Sequence, residues 1–330
     1  MHGTTLSLTF MLLLSVHGVS AQILHLSELN TDQIRALDQQ KTVVIVPGGI
    51  LEEHGPYLPC YTDGYSDMAY SEALARTIVA RPGWTVVLFP QIPIGSNPAN
   101  EIGNKWPFPG SFAVRMSTVR ALYMDLADDF GQQGFRWIFL IHKHGGPGNN
   151  RALDQASDYF HDIYGGTMVH LFGIEVIAEE SDRVQQQVLT GAQLKENGLS
   201  VHADASETSD LLFIRPDLVS SNYRQARTVA GATFSDLRAL ASRDDWPGYL
   251  GAPQIATASQ GAKQFEAGMV TTSKYALEIL DGYDYRALPR YGDKIPDALL
   301  PGGDPAVFKQ EAAQAERQQR WVTAHVVSKH

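Results

Sequence analysis

Short apolar, β-branched runs alternate with amphipathic stretches along this chain, and that alternation restricts the fold more than any other feature. It is the pattern of strands joined by crossover helices. Four runs read as strands: TVVIVPG (42–48), WTVVLFPQI (84–92), WIFLIHK (137–143) and TMVHLFGI (167–174). Between them, SDMAYSEALARTIVA (66–80), MSTVRALYMDLADDFGQQG (116–134) and NRALDQASDYFHDIYG (150–165) carry apolar residues at helical spacing. The expected architecture is α/β, a three-layer α/β/α sandwich with a mainly parallel central sheet.

The 330 residues, 44% hydrophobic and 19% charged, allow a sizeable core and give no sign of disorder. No repeat, low-complexity tract or linker divides residues 22–330, which read as a single domain. Its end, from about 281, is expected to be a surface extension: Asp281 to Pro305 is rich in Pro, Gly and Tyr, and residues 308–327 read as a late, polar helix. A net charge of -10, with no cluster of Lys or Arg, argues against a nucleic-acid surface and leaves small-molecule or peptide partners. Residues 1–21 hold an apolar run too short to span a bilayer, then Val19, Ser20 and Ala21, which suit signal cleavage before Gln22. The mature protein is thus expected to be exported, periplasmic or secreted, with no membrane segment; a buried N-terminal helix is the competing reading. Cys60 is the only cysteine, so no internal disulfide is possible, and its thiol is either a soft ligand or nucleophile or a space-filling side chain.

The chemistry concentrates where the first strand ends. In GGILEEHGPYLPCYTDG, Glu52 and His54 are two apart on an extended segment and can point the same way. Gly55, Pro56 and Pro59 turn the backbone, so that Asp63 returns to the same place and opens the next helix as its N-cap. Two carboxylates and an imidazole form a mixed N/O donor set suited to Zn, Mn or Fe rather than Ca. The bland alternative makes Glu52 and Glu53 solvated charges, His54 a loop histidine and Asp63 a cap only. In open α/β sheets, sites gather outside the carboxyl ends of the strands. WIFLIHKHGGPGNN delivers His144 to that rim, and its Gly-rich turn lacks the motifs of a phosphate loop. In HADASETSDLLFIRPDLV, Ser206 and Glu207 suit a helix start, while His202 has no structural reason for its place and can shuttle protons. His170 and His161 read as packing or surface residues, and His325 and His330 as part of the tail.

These segments, in this order, resemble the creatininase (creatinine amidohydrolase) family. PGGILEEHGPYLPCYTDG is similar to its first motif, in which a Glu, a His two later and an Asp eleven after that Glu bind paired divalent metals. FPGSF (108–112), IHKHGG with GNN, HADASETSDLLFIRPDLV and GYLGAPQIATASQGAK (248–263) resemble four further family motifs, over about residues 40–270. The resemblance implies that Glu52, Asp63 and His144 hold one metal, that His54 and Asp63 serve a second, that Glu207 completes the site or orients the water, and that His202 is the proton carrier. It also implies one or two ions per subunit (Zn, Mn or Fe) and a homo-oligomer, by family tendency a hexamer. Where creatininase has a further glutamate two after the third-ligand histidine, this chain has Gly146, which leaves the second metal less supported. Asp204 and Ala205 replace the usual Gly and Glu, and residues 95–110 look longer than their counterpart. Lys143, beside a ligand, either recognises an anionic group or points outward; Trp106 and Trp246 are candidate walls of a substrate pocket, or ordinary packing.

The reaction so implied is hydrolysis of a C–N bond in a cyclic amide, formamide or other small amide through a metal-activated water, with His202 protonating the leaving nitrogen. Two rivals remain: a hydrolase of a lactone or peptide bond using the same metals, and a non-catalytic binding protein on the same fold.

Overall fold

The structure, a computed structural model, describes residues 22–294 and 305–325. Five parallel strands, β1 Ile23–His25, β2 Thr42–Pro47, β3 Thr85–Leu88, β4 Trp137–Ile141 and β5 Thr167–His170, lie in the order β1-β3-β2-β4-β5. Central β2 is paired on both sides, Val44 opposite Val87 and Ile138. Strands buried on both faces can be apolar throughout, and all six residues of β2 are buried.

The period-two alternation of β2 assigns its side chains to two cores. Val43 and Ile45 pack with Tyr70, Leu74 and Ile78 of helix α1 (Thr62–Val79). Val44 and Val46 face the opposite way, onto Val119 and Tyr123 of α2 (Met116–Gln132) and Leu153 and Phe160 of α3 (Pro147–Tyr164). After β5 come α4 (Glu180–Val188), α5 (Ala205–Ile214), α6 (Ala258–Leu280) and α7 (Pro305–His325). Helix α6 joins α1 on the first face through Ala276 and Ile279, completing the three layers. A third cluster, including Leu58, Leu211, Trp246 and Leu250, ties the segment that leaves β2 to the chain between α5 and α6.

The strands are shorter than their apolar runs. β3 stops at Leu88 although Phe89 N still donates to Ile45 O, because Pro90 has no N–H to continue the ladder. After His170 the chain tightens into a 3-10 turn, Leu171–Gly173. The surface extension crosses α3, where Arg290 pairs with Asp158 at 2.6 Å, and residues 291–294 form one short helical turn. Residues 1–21, read as a leader, lie outside the described residues, as do 295–304 of the extension. Among the described residues no helix is long and apolar enough to cross a membrane.

Candidate metal centre

The strand order places a site before any side chain is considered. From β2 the chain moves to β3 on one side, then crosses to β4 on the other, so β2 and β4 are neighbours whose connections diverge. A crevice opens outside the carboxyl ends of such a pair. Glu52 and His54 follow β2, and His144 follows β4. Asp63 arrives as the second residue of α1, and Glu207 from the first turn of α5.

Two groups result, with Asp63 common to both: Glu52, Asp63 and His144, all buried, and His54, Asp63 and Glu207, of which Glu207 is half-buried. His144 Nδ1 lies 3.0 Å from Glu52 Oε2 and 3.4 Å from Asp63 Oδ2. His54 Nε2 lies 3.7 Å from both Asp63 Oδ1 and Glu207 Oε2. The other nitrogen of each ring settles its tautomer. His144 Nε2 donates to Ser96 O at 2.9 Å, and His54 Nδ1 donates to Glu52 O at 3.0 Å. A carbonyl oxygen only accepts, so each ring, when neutral, directs its lone pair at the carboxylates, the arrangement that orients imidazole ligands of a metal. His54 Nε2 and Asp63 Oδ2 are buried and make no hydrogen bond, which a cation between them would remedy. The residues therefore fit a divalent ion, and the shared Asp63 fits a pair.

Three carboxylates this close to one another are tolerated only with positive charge among them, carried by protons or by metal. Burial pulls the imidazoles down and the carboxylates outweigh it: His54 rises to about 9 and His202 to about 10, the latter beside Glu53 and Glu52. Asp63 is held well below the usual carboxylate range, since His144 and His54 overcome its burial. Glu207 is pushed the other way, to about 7, chiefly by burial. Its side chain is nonetheless 32% exposed, the most accessible of the cluster.

His202 belongs to a third group, with Glu52 and His54. Its ring lies 4.5 Å from that of His54, Nε2 donates to Glu53 O at 2.6 Å, and Nδ1 is 3.8 Å from Glu52 Oε1. Glu53, read from sequence as a loop charge, is buried, with Oε1 3.3 Å from His202 Nε2. Asp63 does not cap its helix: the N-cap is Tyr61, without a side-chain bond, and the carboxylate turns to the histidines instead. Asp204 caps α5, accepting from Ser206 N at 2.8 Å, and so takes the role assigned to Ser206 and Glu207.

The three side chains weighed as substrate contacts lie as follows. Lys143 neither points outward nor stands free for an anion: Nζ is 2.9 Å from Asp210 Oδ2 and 3.1 Å from Ser66 Oγ. Trp246 is buried in the third cluster, 5.2 Å from Phe108, with Nε1 donating to Tyr249 O at 3.0 Å. Trp106 lines a separate groove against α7. Cys60 is a half-buried free thiol outside the metal-binding groups found among the described residues. The segment 95–110 supports two candidate ligands, through Ser96 O on His144 and Ala99 N, which donates to Glu52 Oε1 at 2.5 Å. Backbone groups carry no residue-type signature, so this support had no signal in the sequence.

A sequence model of the family described as creatinine amidohydrolase matches residues 27–275. A relative from Mycobacterium ulcerans, named mycofactocin precursor peptide peptidase, is 27% identical over 251 residues, 73% of this chain and 86% of its own. Among solved structures, one titled creatininase Mn superposes with a TM-score of 0.56 at 18% identity, over 78% of this chain and 98% of its own. A glutamate-to-glutamine creatininase variant of Zn-Zn type gives 0.57 at 19%, with the same coverage. Those structural likenesses bear on the fold alone; the family match, spanning most of the chain, places this protein in the creatininase (creatinine amidohydrolase) family.

Proposed function

We propose that this protein is a divalent-metal hydrolase of a C–N amide bond. One observation carries the reading: two N/O donor groups share the buried Asp63, with the His54 and His144 tautomers fixed by backbone carbonyls. Zn or Mn, the metals in the names of creatininase structures of this fold, suits the donors, as does Fe. Bound there, such ions supply Lewis acidity toward a carbonyl and a water of lowered pKa. Glu52, His54, Asp63 and His144 are the ligands in this reading. Glu207 completes the second group from the accessible side, where it meets substrate and orients the attacking water. His202, paired with Glu53, holds the proton destined for the leaving nitrogen, which departs poorly without one.

The test sets wild type beside His202→Ala on cyclic amides, formamides, linear amides and short peptides, with metal content measured in both. Equal metal and a rate loss of about 100-fold or more in the variant are expected. A wild type that binds metal and cleaves no C–N bond in the panel overturns the reading. A peptide substrate is the second reading, favoured by the relative named a peptide peptidase; the same panel separates it from small amides. Export and homo-oligomer formation belong to the proposal. Their checks are the N-terminal sequence of the mature protein, expected to begin at Gln22, and its mass in solution.

A further inference from the structure

The first turn of α3 supplies no candidate ligand, yet its consecutive buried residues Gly148, Asn149 and Asn150 direct their polar groups at His144 and at the loop that accepts from it. Asn150 Nδ2 donates to His144 O at 3.1 Å and to Gly146 O at 3.0 Å, fixing the backbone that carries the ligand. Gly148 N donates to Asn97 Oδ1 at 2.8 Å, and Asn149 Oδ1 accepts from Ser96 N at 3.2 Å. Ser96 and Asn97 are the two residues whose carbonyls accept from His144 Nε2, at 2.9 and 3.2 Å. One element thus sets the ligand and its acceptors against each other. A peptide N–H only donates, so Oδ1 of Asn149 must face Ser96, which leaves Nδ2 3.4 Å from His142 Nδ1 as the donor to that ring. His142 is itself held: its carbonyl accepts from His170 Nε2 at 2.8 Å, and a Cβ on Gly48 would meet its Cδ2 at 2.3 Å. A line of hydrogen bonds therefore runs from His144 through Ser96 and Asn149 to His142 at the end of β4. All four residues are buried, so a bond lost within the line leaves its partner unpaired.

We propose that Asn149 and Asn97 are positioning residues for the metal centre: they pin the 96–97 segment against α3 and so fix the direction in which His144 Nε2 donates and its Nδ1 faces Glu52 and Asp63. The inference rests on the metal-hydrolase reading and adds to its ligands the residues that aim one of them. Ser96 reaches His144 only through its carbonyl, and its own buried hydroxyl makes no hydrogen bond among the described residues. Its hold on the ligand therefore depends on what holds Ser96, which is Asn149. An imidazole whose orienting acceptor drifts binds metal less tightly.

The experiment loads Co(II), a divalent ion suited to N/O donors whose visible absorption reports ligand geometry, and measures its affinity by chelator competition. Wild type is set beside Asn149→Ala, Asn97→Gly and Leu153→Ala. Asn97→Gly breaks the same clamp from the loop side, and glycine tolerates the left-handed backbone there (φ 59°), so the test survives if Asn149→Ala fails to fold. Leu153, buried in the core on the same helix, shows what destabilising α3 does by itself. Both asparagine variants are expected to lose about tenfold in Co(II) affinity with an altered spectrum, while Leu153→Ala melts lower and keeps the affinity and spectrum of wild type. A folded asparagine variant with wild-type affinity and spectrum, or a Leu153→Ala that loses as much, overturns the positioning role and leaves the metal reading intact. A wild type that takes up no Co(II) overturns the metal reading and this inference with it.

Discussion

A methyl group at position 146 would meet His144 Nε2 at 2.4 Å and Ser96 O at 2.7 Å, so the residue that looked like a missing ligand is the space in which His144 donates its hydrogen bond. A glutamate side chain could not grow from Gly146 without moving that histidine, and the carboxylate facing His54 comes from Glu207 instead. Gly146→Ala should lower metal affinity about tenfold, the usual result of disturbing a ligand's orienting partner, read by chelator competition with circular dichroism confirming the fold. Lys143 belongs to stability rather than recognition. Removing it alone strands Asp210, and Lys143→Met should cost about 3 kcal/mol in denaturant unfolding, whereas Lys143→Met with Asp210→Leu should recover most of that loss. Glu52, His54, Asp63 and His144 were legible as candidate ligands because metal binding calls for particular residue types, and three of them follow strand ends while Asp63 opens α1. Glu53 and Lys143 were not, because a charge reads as solvated until its buried partner is known.

Among the elements, the loop from Gly95 to Phe112 does more for the centre than any helix. It supplies Ser96 O to His144 and Ala99 N to Glu52, and its Ser111 Oγ accepts from Glu53 N at 3.1 Å. Helix α7 faces this loop across the groove lined by Trp106 and Phe112 on one side and Val307 and Gln310 on the other, and its Glu311 accepts from Met116 N of α2 at 2.8 Å. Burial, reinforced by Glu311, pushes Glu101 in this loop up to about 7. An acid raised in the folded state stabilises the fold fully below its unfolded value, near 4.5, and loses that contribution as pH rises through 7. Glu101→Gln should therefore melt higher than wild type at pH 8, with the difference vanishing near pH 4, by differential scanning calorimetry. The four long strand runs and three of the major helices were legible from periodicity. β1, three residues paired along one edge, is too short to show a pattern. Helix α6 was obscured by its glycines: a Cβ on Gly261 would strike Ser209 O, so close crossing with α5 is what that glycine permits.

For the molecule as a whole, strand order decided the location of the site, and strand order is what periodicity cannot supply. Adjacency of β2 and β4 had to come from pairing between segments some ninety residues apart, Val44 with Ile138. Because the candidate ligands come from the ends of β2 and β4 and from α1 and α5, metal binding should tie these together: Zn or Mn in hundredfold excess over its dissociation constant should stabilise the fold by about 2.7 kcal/mol, and a chelator should remove that increment of melting temperature. The match to the family stops at residue 275, and α7 begins at Pro305. An appendage beyond the shared framework thus sits beside the loop that aims two candidate ligands. Helix α7 can alter the grip of the centre while every ligand stays in place, a route by which this protein could diverge in metal preference or rate from relatives built on the same framework. Glu311→Ala should test that directly, by weakening metal retention in a protein whose metal-binding residues are all intact.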